Sequence, residues 1–275
     1  MTAADQPHPH RRFDELARLD ERVVIVTGAA GFIGRVACAG LAEQGAHVVV
    51  VDRDATACEA VVASIAADGG HATALPADLE QEAEVVGIAP RVLELLGRID
   101  GLVQLAALVS AEPLPGWTTD LAHQGTETWR RAMEVNLTAA FVLARECSPA
   151  LAASGHGAMV LVGSTYGIVG PDWRIYDGTD MGNAAGYAAS KGGIVQLARW
   201  LATTLAPTVR VNTLTPGGVE RGQPASFVEA YRERTPLGRM AVEEDYKGAI
   251  VYLVSDLSRY VTGHNLVVDG GWTAW

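Results

Sequence analysis

A chain of 275 residues that is 49% hydrophobic can bury a large core, and a formal net charge of −11 excludes the basic face that nucleic acid requires. No apolar run reaches membrane-spanning length. Three cysteines, Cys38, Cys58 and Cys147, are odd in number and widely spaced, and the seven histidines show no ligand spacing; reduced thiols in a cytoplasmic protein without a metal are expected.

Residues 1–20, with Pro7, Pro9, Arg11 and Arg12 among polar neighbours, lack the apolar stretch of a signal peptide and read as a flexible tail ending in a short helix over 13–19. The domain proper covers 21–275. ERVVIVTGAAGFIG reads as a strand over 23–26, a glycine-rich turn and a helix over 35–44, and HVVVVD as the next strand. Gly28, Gly31 and Gly34 permit a tight turn and close approach of backbone to a pyrophosphate on the helix N-terminus. Asp52 ends the second strand, 24 residues after Gly28, where an acid can hold the adenosine ribose hydroxyls.

The alternation continues. ATACEAVVASIAADG is a helix, HATALPADL a third strand, and EAEVVGIAPRVLELLG a helix that either tolerates Pro90 or is broken by it. IDGLVQLAAL is the fourth strand, TETWRRAMEVNLTAAFVLARECSPALAAS one long helix, and GAMVLVGSTYG the fifth strand. The helix of AAGYAASKGGIVQLARWLA follows, then VRVNTLTPGGV, a helix over 241–253, and NLVVDGG as the seventh strand. Strands alternating with helices, uninterrupted by a repeat or a low-complexity linker, imply one α/β domain: a Rossmann-type doubly wound, seven-stranded parallel sheet flanked by helices.

Tyr187 and Lys191 stand out within this frame. Lys191 and Lys247 are the only lysines among 21 basic lysine and arginine side chains. On a helix, positions four apart share a face. The ammonium is thereby expected to favour phenolate and to lower the tyrosine from its usual pKa of about 10, suiting it to acid–base work near neutral pH.

TGAAGFIG (27–34), ADL (77–79), the VNL around Asn136, GSTYG (163–167), YAASK (187–191), TPGG (215–218) and YVTGHNLVVDGGW (260–272) together resemble the short-chain dehydrogenase/reductase family over residues 20–272. The resemblance implies an NAD(P)-dependent oxidoreductase interconverting a secondary alcohol and a ketone, and a homotetramer. It assigns Ser164, Tyr187, Lys191 and Asn136 as the catalytic set. Tyr187 exchanges the proton, Ser164 positions the oxygen, Lys191 tunes the phenol and holds the nicotinamide ribose, and Asn136 organises a water. It also assigns cofactor contacts to Gly28, Gly31, Phe32, Ile33, Gly34, Asp52, Arg53, Asp78, Leu79, Ala106, Ala107, Tyr187, Lys191, Pro216, Gly217 and Val219. Asp52 favours NAD by repelling a 2′-phosphate; Arg53 beside it is the feature that would accept NADP. The terminal GGWTAW, with two tryptophans in need of cover, also points to subunit contacts.

Three departures from the family pattern matter. The T-G-x-x-G-x-x-G spacing and QLAAL look like the nucleotide-sugar branch, which keeps an epimerase or dehydratase as an alternative; a non-catalytic dinucleotide sensor is another. About ten extra residues separate Ser164 from Tyr187 relative to the family. The threonine common after the PG motif is Arg221 here. The inserted PDWRIYDGTDMGNA (171–184) leaves the fifth strand beside Ser164, and ERGQPASFVEAYRERTP (220–236) corresponds to the family's lid. Trp173, Tyr176, Asp177, Asp180, Ser164 and Gln223 are the expected contacts for a small, polar, ring-shaped substrate such as a sugar, cyclitol or nucleoside-like ketone, with a subunit-contact loop as the alternative role for 171–184.

Overall fold

β1 (Val23–Thr27) and β5 (Ala158–Val162) are apolar runs buried at every residue, as expected of strands covered on both faces. They lie inside a seven-stranded parallel sheet of order β3-β2-β1-β4-β5-β6-β7, the other strands being β2 (His47–Val51), β3 (His71–Ala74), β4 (Gly101–Gln104), β6 (Arg210–Pro216) and β7 (Asn265–Val268). This is a computed structural model, and it describes residues 10–109 and 114–275.

Alternate side chains of each strand feed opposite faces. Val23 and Ile25 of β1 pack with α4 (Glu82–Leu96), α6 (Ala139–Ser154) and α7 (Ala185–Leu205). Val24 and Val26 pack with α2 (Phe32–Glu43), α3 (Ala55–Ala67) and α9 (Lys247–Val254). Strand order reverses between β1 and β4, which pair directly although two strands intervene in sequence. The crevice beyond Thr27 and Gln104, at the strands' carboxyl ends, is where such sheets bind ligands.

Several local expectations are corrected. The third strand stops at Ala74, before Pro76, which has no N–H to donate to a ladder. α4 runs through Pro90, whose side is exposed. The long helix expected over 126–154 is instead α5 (Thr126–Met133), a π turn over Glu134–Thr138, and α6. The helix expected from 241 begins as a 3₁₀ turn, Glu243–Tyr246, ahead of α9.

The flexible tail expected over 1–20 does not reach its second half. α1 (Phe13–Ala17) is followed by Leu19, which is fully buried, and Arg11 and Arg22 both pair with Asp256, at 2.7 and 2.8 Å. Pro7 and Pro9 lie outside the described residues. At the other end, Trp272 is buried by its own chain, stacked on Tyr231 with ring centroids 4.2 Å apart, so only Trp275 of the two terminal tryptophans is left exposed. Among the described residues no helix is long and apolar enough to cross a membrane.

Candidate active site

The glycine-rich turn is dictated by space. Gly28 has φ +65°, and a Cβ there would sit 2.7 Å from the Ala106 nitrogen; a Cβ on Gly34 would sit 2.1 Å from the Gly28 oxygen. The turn therefore folds flat against the end of β4 and delivers the N-terminus of α2, capped by Gly31 with no side-chain hydrogen bond. Uncapped backbone N–H groups at a helix start, approachable because no side chains intervene, fit a pyrophosphate. Ala107 continues the chain from Ala106, whose nitrogen donates to the Thr27 hydroxyl at 3.3 Å and whose oxygen accepts from Gln104 at 2.9 Å. Asp52 accepts from the Ala30 nitrogen at 3.2 Å, which places its carboxylate beside the turn.

Other expected cofactor residues differ in what their side chains are free to do. Asp78 accepts from the Glu80 nitrogen at 3.0 Å, while Leu79 is buried in the core and has only backbone to offer. Arg53 is exposed, and its charge helps hold the Glu80 carboxyl below its usual range, after the dominant hydrogen bond from Arg131. Pro216 ends β6, Gly217 donates to the Val268 oxygen at 2.9 Å, and Val219 is buried, bridging to Ala241. Phe32 and Ile33 open α2, and the Phe32 ring is exposed.

The four catalytic candidates converge at the end of β5. Ser164, buried, caps the turn Thr165–Gly167 by accepting from the Tyr166 nitrogen at 3.2 Å. That turn lies on α7 itself: a Cβ on Gly167 would be 2.6 Å from the carbonyl carbon and oxygen of Lys191. Tyr187 and Lys191 share one face of α7, with Lys191 Nζ 5.9 Å from the Tyr187 ring centroid. Lys191 is buried and donates to the Val162 oxygen at 2.7 Å. Asn136 occupies the π turn, where it accepts from the Leu108 nitrogen at 2.6 Å and donates to Ser190 Oγ at 2.9 Å. Ser190 donates in turn to the backbone carbonyl oxygen of Tyr187 at 2.8 Å. π turns recur at functional sites because the extra residue redirects a side chain.

The electrostatics correct one expectation. Tyr187 is raised above its ordinary pKa, chiefly by burial; the Ser164 hydroxyl and then the Arg221 guanidinium pull it down. Burial lowers Lys191 to about 8. With its ammonium turned to the Val162 carbonyl, Lys191 is not the charge that lowers the phenol in this arrangement.

A family model described as "Enoyl-(Acyl carrier protein) reductase" matches residues 28–273. The chain is 36% identical over 260 residues to cis-4-hydroxycyclohexanecarboxylate dehydrogenase of Sinomonas cyclohexanicum, covering 92% of this chain and 97% of that protein. It is 32% identical over 266 residues to cyclopentanol dehydrogenase of Comamonas testosteroni, covering 94% and 100%. Among solved structures, a putative NAD(P)-dependent gluconate 5-dehydrogenase from Beutenbergia cavernae, with NADP bound, superposes with a TM-score of 0.83 at 35% identity, covering 94% and 100%. The chain belongs to the short-chain dehydrogenase/reductase family. It is an oxidoreductase using a nicotinamide dinucleotide, and its single domain is the family's Rossmann-type sheet.

In this short-chain dehydrogenase the inserted segment is less open to a substrate than its composition implied. Tyr176 is buried, tilted against Phe227 of α8 (Ala225–Arg234) with centroids 5.4 Å apart, and its hydroxyl is hydrogen-bonded to that of Tyr166. Trp173 is exposed, 5.8 Å from Tyr176. Asp177 and Asp180 are exposed, and among the described residues their carboxylates accept no hydrogen bond. Gln223 is committed locally, donating to the Val219 oxygen at 2.7 Å and accepting from the Arg221 nitrogen at 2.6 Å, so its amide braces the loop.

Sequence reasoning missed three participants. Tyr166, two residues after Ser164, joins the strand end to the insertion; Asp172 pairs with Arg234 of α8 at 3.0 Å; Tyr231 accepts from the Gly218 nitrogen at 2.6 Å. The GSTYG motif contained the first, but its partner lies on a segment whose path no periodicity reveals.

Proposed function

We propose that this short-chain dehydrogenase interconverts a secondary alcohol and a ketone on a small, polar, cyclic substrate, with Tyr187 as general acid–base and NAD(H) as the preferred dinucleotide. The observation that carries the reading is the convergence of Ser164, Tyr187 and Lys191 at the end of β5, beside the crevice formed where the glycine-rich turn meets β4. Relatives named for 4-hydroxycyclohexanecarboxylate and cyclopentanol dehydrogenation support a ring alcohol, and those named for galactitol and threitol, which are open-chain, support a polar secondary alcohol.

The bound dinucleotide supplies the site at which hydride is accepted or given up. Ser164 accepts from the Tyr166 nitrogen and is hydrogen-bonded to Tyr187, and its hydroxyl turns to donate to the substrate oxygen when that oxygen lies between the two side chains. Tyr187 takes the alcohol proton during oxidation, or returns one to the carbonyl oxygen during reduction. Lys191, within reach of the ring, holds the nicotinamide ribose. Asn136 positions this machinery by joining the loop after β4 to α7.

The loops 171–184 and 220–236 bound the substrate side, with Trp173, Asp177 and Asp180 offering a ring face and free carboxylates. A homotetramer is the assembly we propose, and three buried free thiols suit a cytoplasmic setting. The test is a screen of cyclic alcohols and polyols against cyclic ketones, following reduced-nicotinamide absorbance. Turnover of a ring alcohol with stoichiometric NADH formation is expected. Product formation without net cofactor change would instead identify an epimerase.

A further inference from the structure

Arg221 stands apart from the machinery described so far. It lies on the loop leaving β6, while Phe32 opens α2 on the other side of the crevice, and the two touch: the guanidinium carbon is 4.4 Å from the Phe32 ring centroid. The ring's face favours a cation at that distance. Phe32 is otherwise an exposed aromatic with no core to serve.

The guanidinium is also fixed from behind. Nε donates to Glu243 Oε1 at 3.2 Å, and the loop is stitched to the same segment by the Val219–Ala241 bridge and by the Glu220 backbone nitrogen, which donates to the Ala241 oxygen at 2.9 Å. Gln223 holds the Arg221 backbone nitrogen at 2.6 Å. Neither Nη donates to a described residue, so both remain available to an incoming anion. A planar fork of N–H donors, pre-positioned by a stacked ring and a carboxylate, is the arrangement that recognises phosphate oxygens. The helix start beneath it supplies uncapped N–H groups for the same anion.

We propose that Arg221 is a phosphate-binding residue that closes over the cofactor pyrophosphate from the β6 side, opposite the backbone amides of the glycine-rich turn. The inference rests on the dinucleotide-dependent reading above and adds a residue on this loop that the family pattern fills with threonine. Its second consequence reaches the acid–base group, because the same guanidinium lowers the Tyr187 pKa. Tyr187 also faces Lys191, Ser164, Tyr166 and Tyr176, all of which an Arg221 substitution leaves in the sequence.

The experiment titrates the full-length enzyme with NAD⁺ and with ADP-ribose, which carries the pyrophosphate without the nicotinamide, by calorimetry. Wild type is compared with Arg221→Lys, Arg221→Gln and Phe32→Leu. Arg221→Gln should weaken both ligands by about tenfold or more, and Arg221→Lys and Phe32→Leu by less, as expected when a charge-assisted fork is lost or loosened. In the oxidation direction, the ascending limb of the kcat–pH profile should move to higher pH in Arg221→Gln and stay nearer wild type in Arg221→Lys. Unchanged ADP-ribose affinity in a folded Arg221→Gln overturns the proposal. If the substrate KM alone rises, the guanidinium serves an anionic substrate, which also overturns it. Wild type that binds neither ligand would instead remove the dinucleotide reading on which the proposal stands.

Discussion

Asp172 and Arg234 meet at 3.0 Å, and this ion pair joins the inserted loop to α8. Tyr176 packing on Phe227 makes the same junction in apolar form. The two segments are therefore packed as one unit, which in the proposed reading walls the substrate side. The pair itself is part-exposed and worth at most about 1 kcal/mol, so Arg234→Ala, which keeps the cap and ion pair of Asp172 with Arg174, should raise the substrate KM by no more than about fivefold. Shortening 171–184 to family spacing removes the whole wall and should raise KM by about tenfold or more, as remote contacts that position a substrate are lost. Dinucleotide affinity should stay near wild type in both. A shortened enzyme that loses its oligomeric state, by light scattering, but keeps its KM would show that the loop belongs to an interface.

Tyr187→Phe should lower kcat by about 10²–10⁴-fold while calorimetry shows dinucleotide binding nearly intact. More than a third of wild-type turnover, with chemistry rate-limiting, would remove Tyr187 from the acid–base role.

Asn136 is fully buried and satisfies both the Leu108 nitrogen and Ser190. Asn136→Ala leaves the buried Leu108 nitrogen without its acceptor and removes the donor to Ser190 Oγ, and should destabilise the fold by about 1–3 kcal/mol, read as a lower urea midpoint at unchanged slope. A midpoint within error of wild type would mean that the π turn needs no such tie.

Lys191 gives a pH signature. Its folded pKa of about 8 lies below the ordinary 10.5, so between those values the unfolded chain binds the proton that the native enzyme has released. Stability of the cofactor-free enzyme should therefore carry a rising contribution from pH 8 to 10, approaching about 3 kcal/mol over the full interval. Below pH 8 the cost of the buried ammonium is fully present. Lys191→Met should lack the rise, and parallel stability–pH curves for the two proteins would contradict the assignment.

Asp52 is held at the turn by the Ala30 nitrogen, whereas Arg53 is exposed and acts on Glu80. The ratio of kcat/KM values should favour NAD(H) over NADP(H) by about tenfold or more, and Asp52→Ser should narrow it, because a like-charge contact with the 2′-phosphate is removed. A tenfold advantage for NADPH in the wild type would reverse the assignment.

Much of this was legible in the chain because the signals are local. VVIVT and HVVVV can only be buried strands, and the glycines between them answer to a clash measurable from backbone alone. Tyr187 and Lys191 were readable because helical spacing puts them on one face. The electrostatic role of Lys191 was not readable, since its partner is a carbonyl on another element and burial outweighs proximity. Gln223 and Tyr176 misled for a related reason: composition marks which groups can bind a ligand, while the fold had already committed both to other contacts. The π turn at Asn136 was not readable, because its five residues are too few to establish a period of their own between two helices.

The contact of Gly167 with the backbone of Lys191 has an architectural consequence. The distance from the strand-end serine to the helix tyrosine is fixed by main chain against main chain, before the excursion over 171–184 departs and without reference to its contents. The excursion over 171–184 can therefore change in length while the turn after β5 keeps its seat on α7. Gly167 is the small residue on which that seat depends, since a Cβ there would push the turn away from the Lys191 backbone.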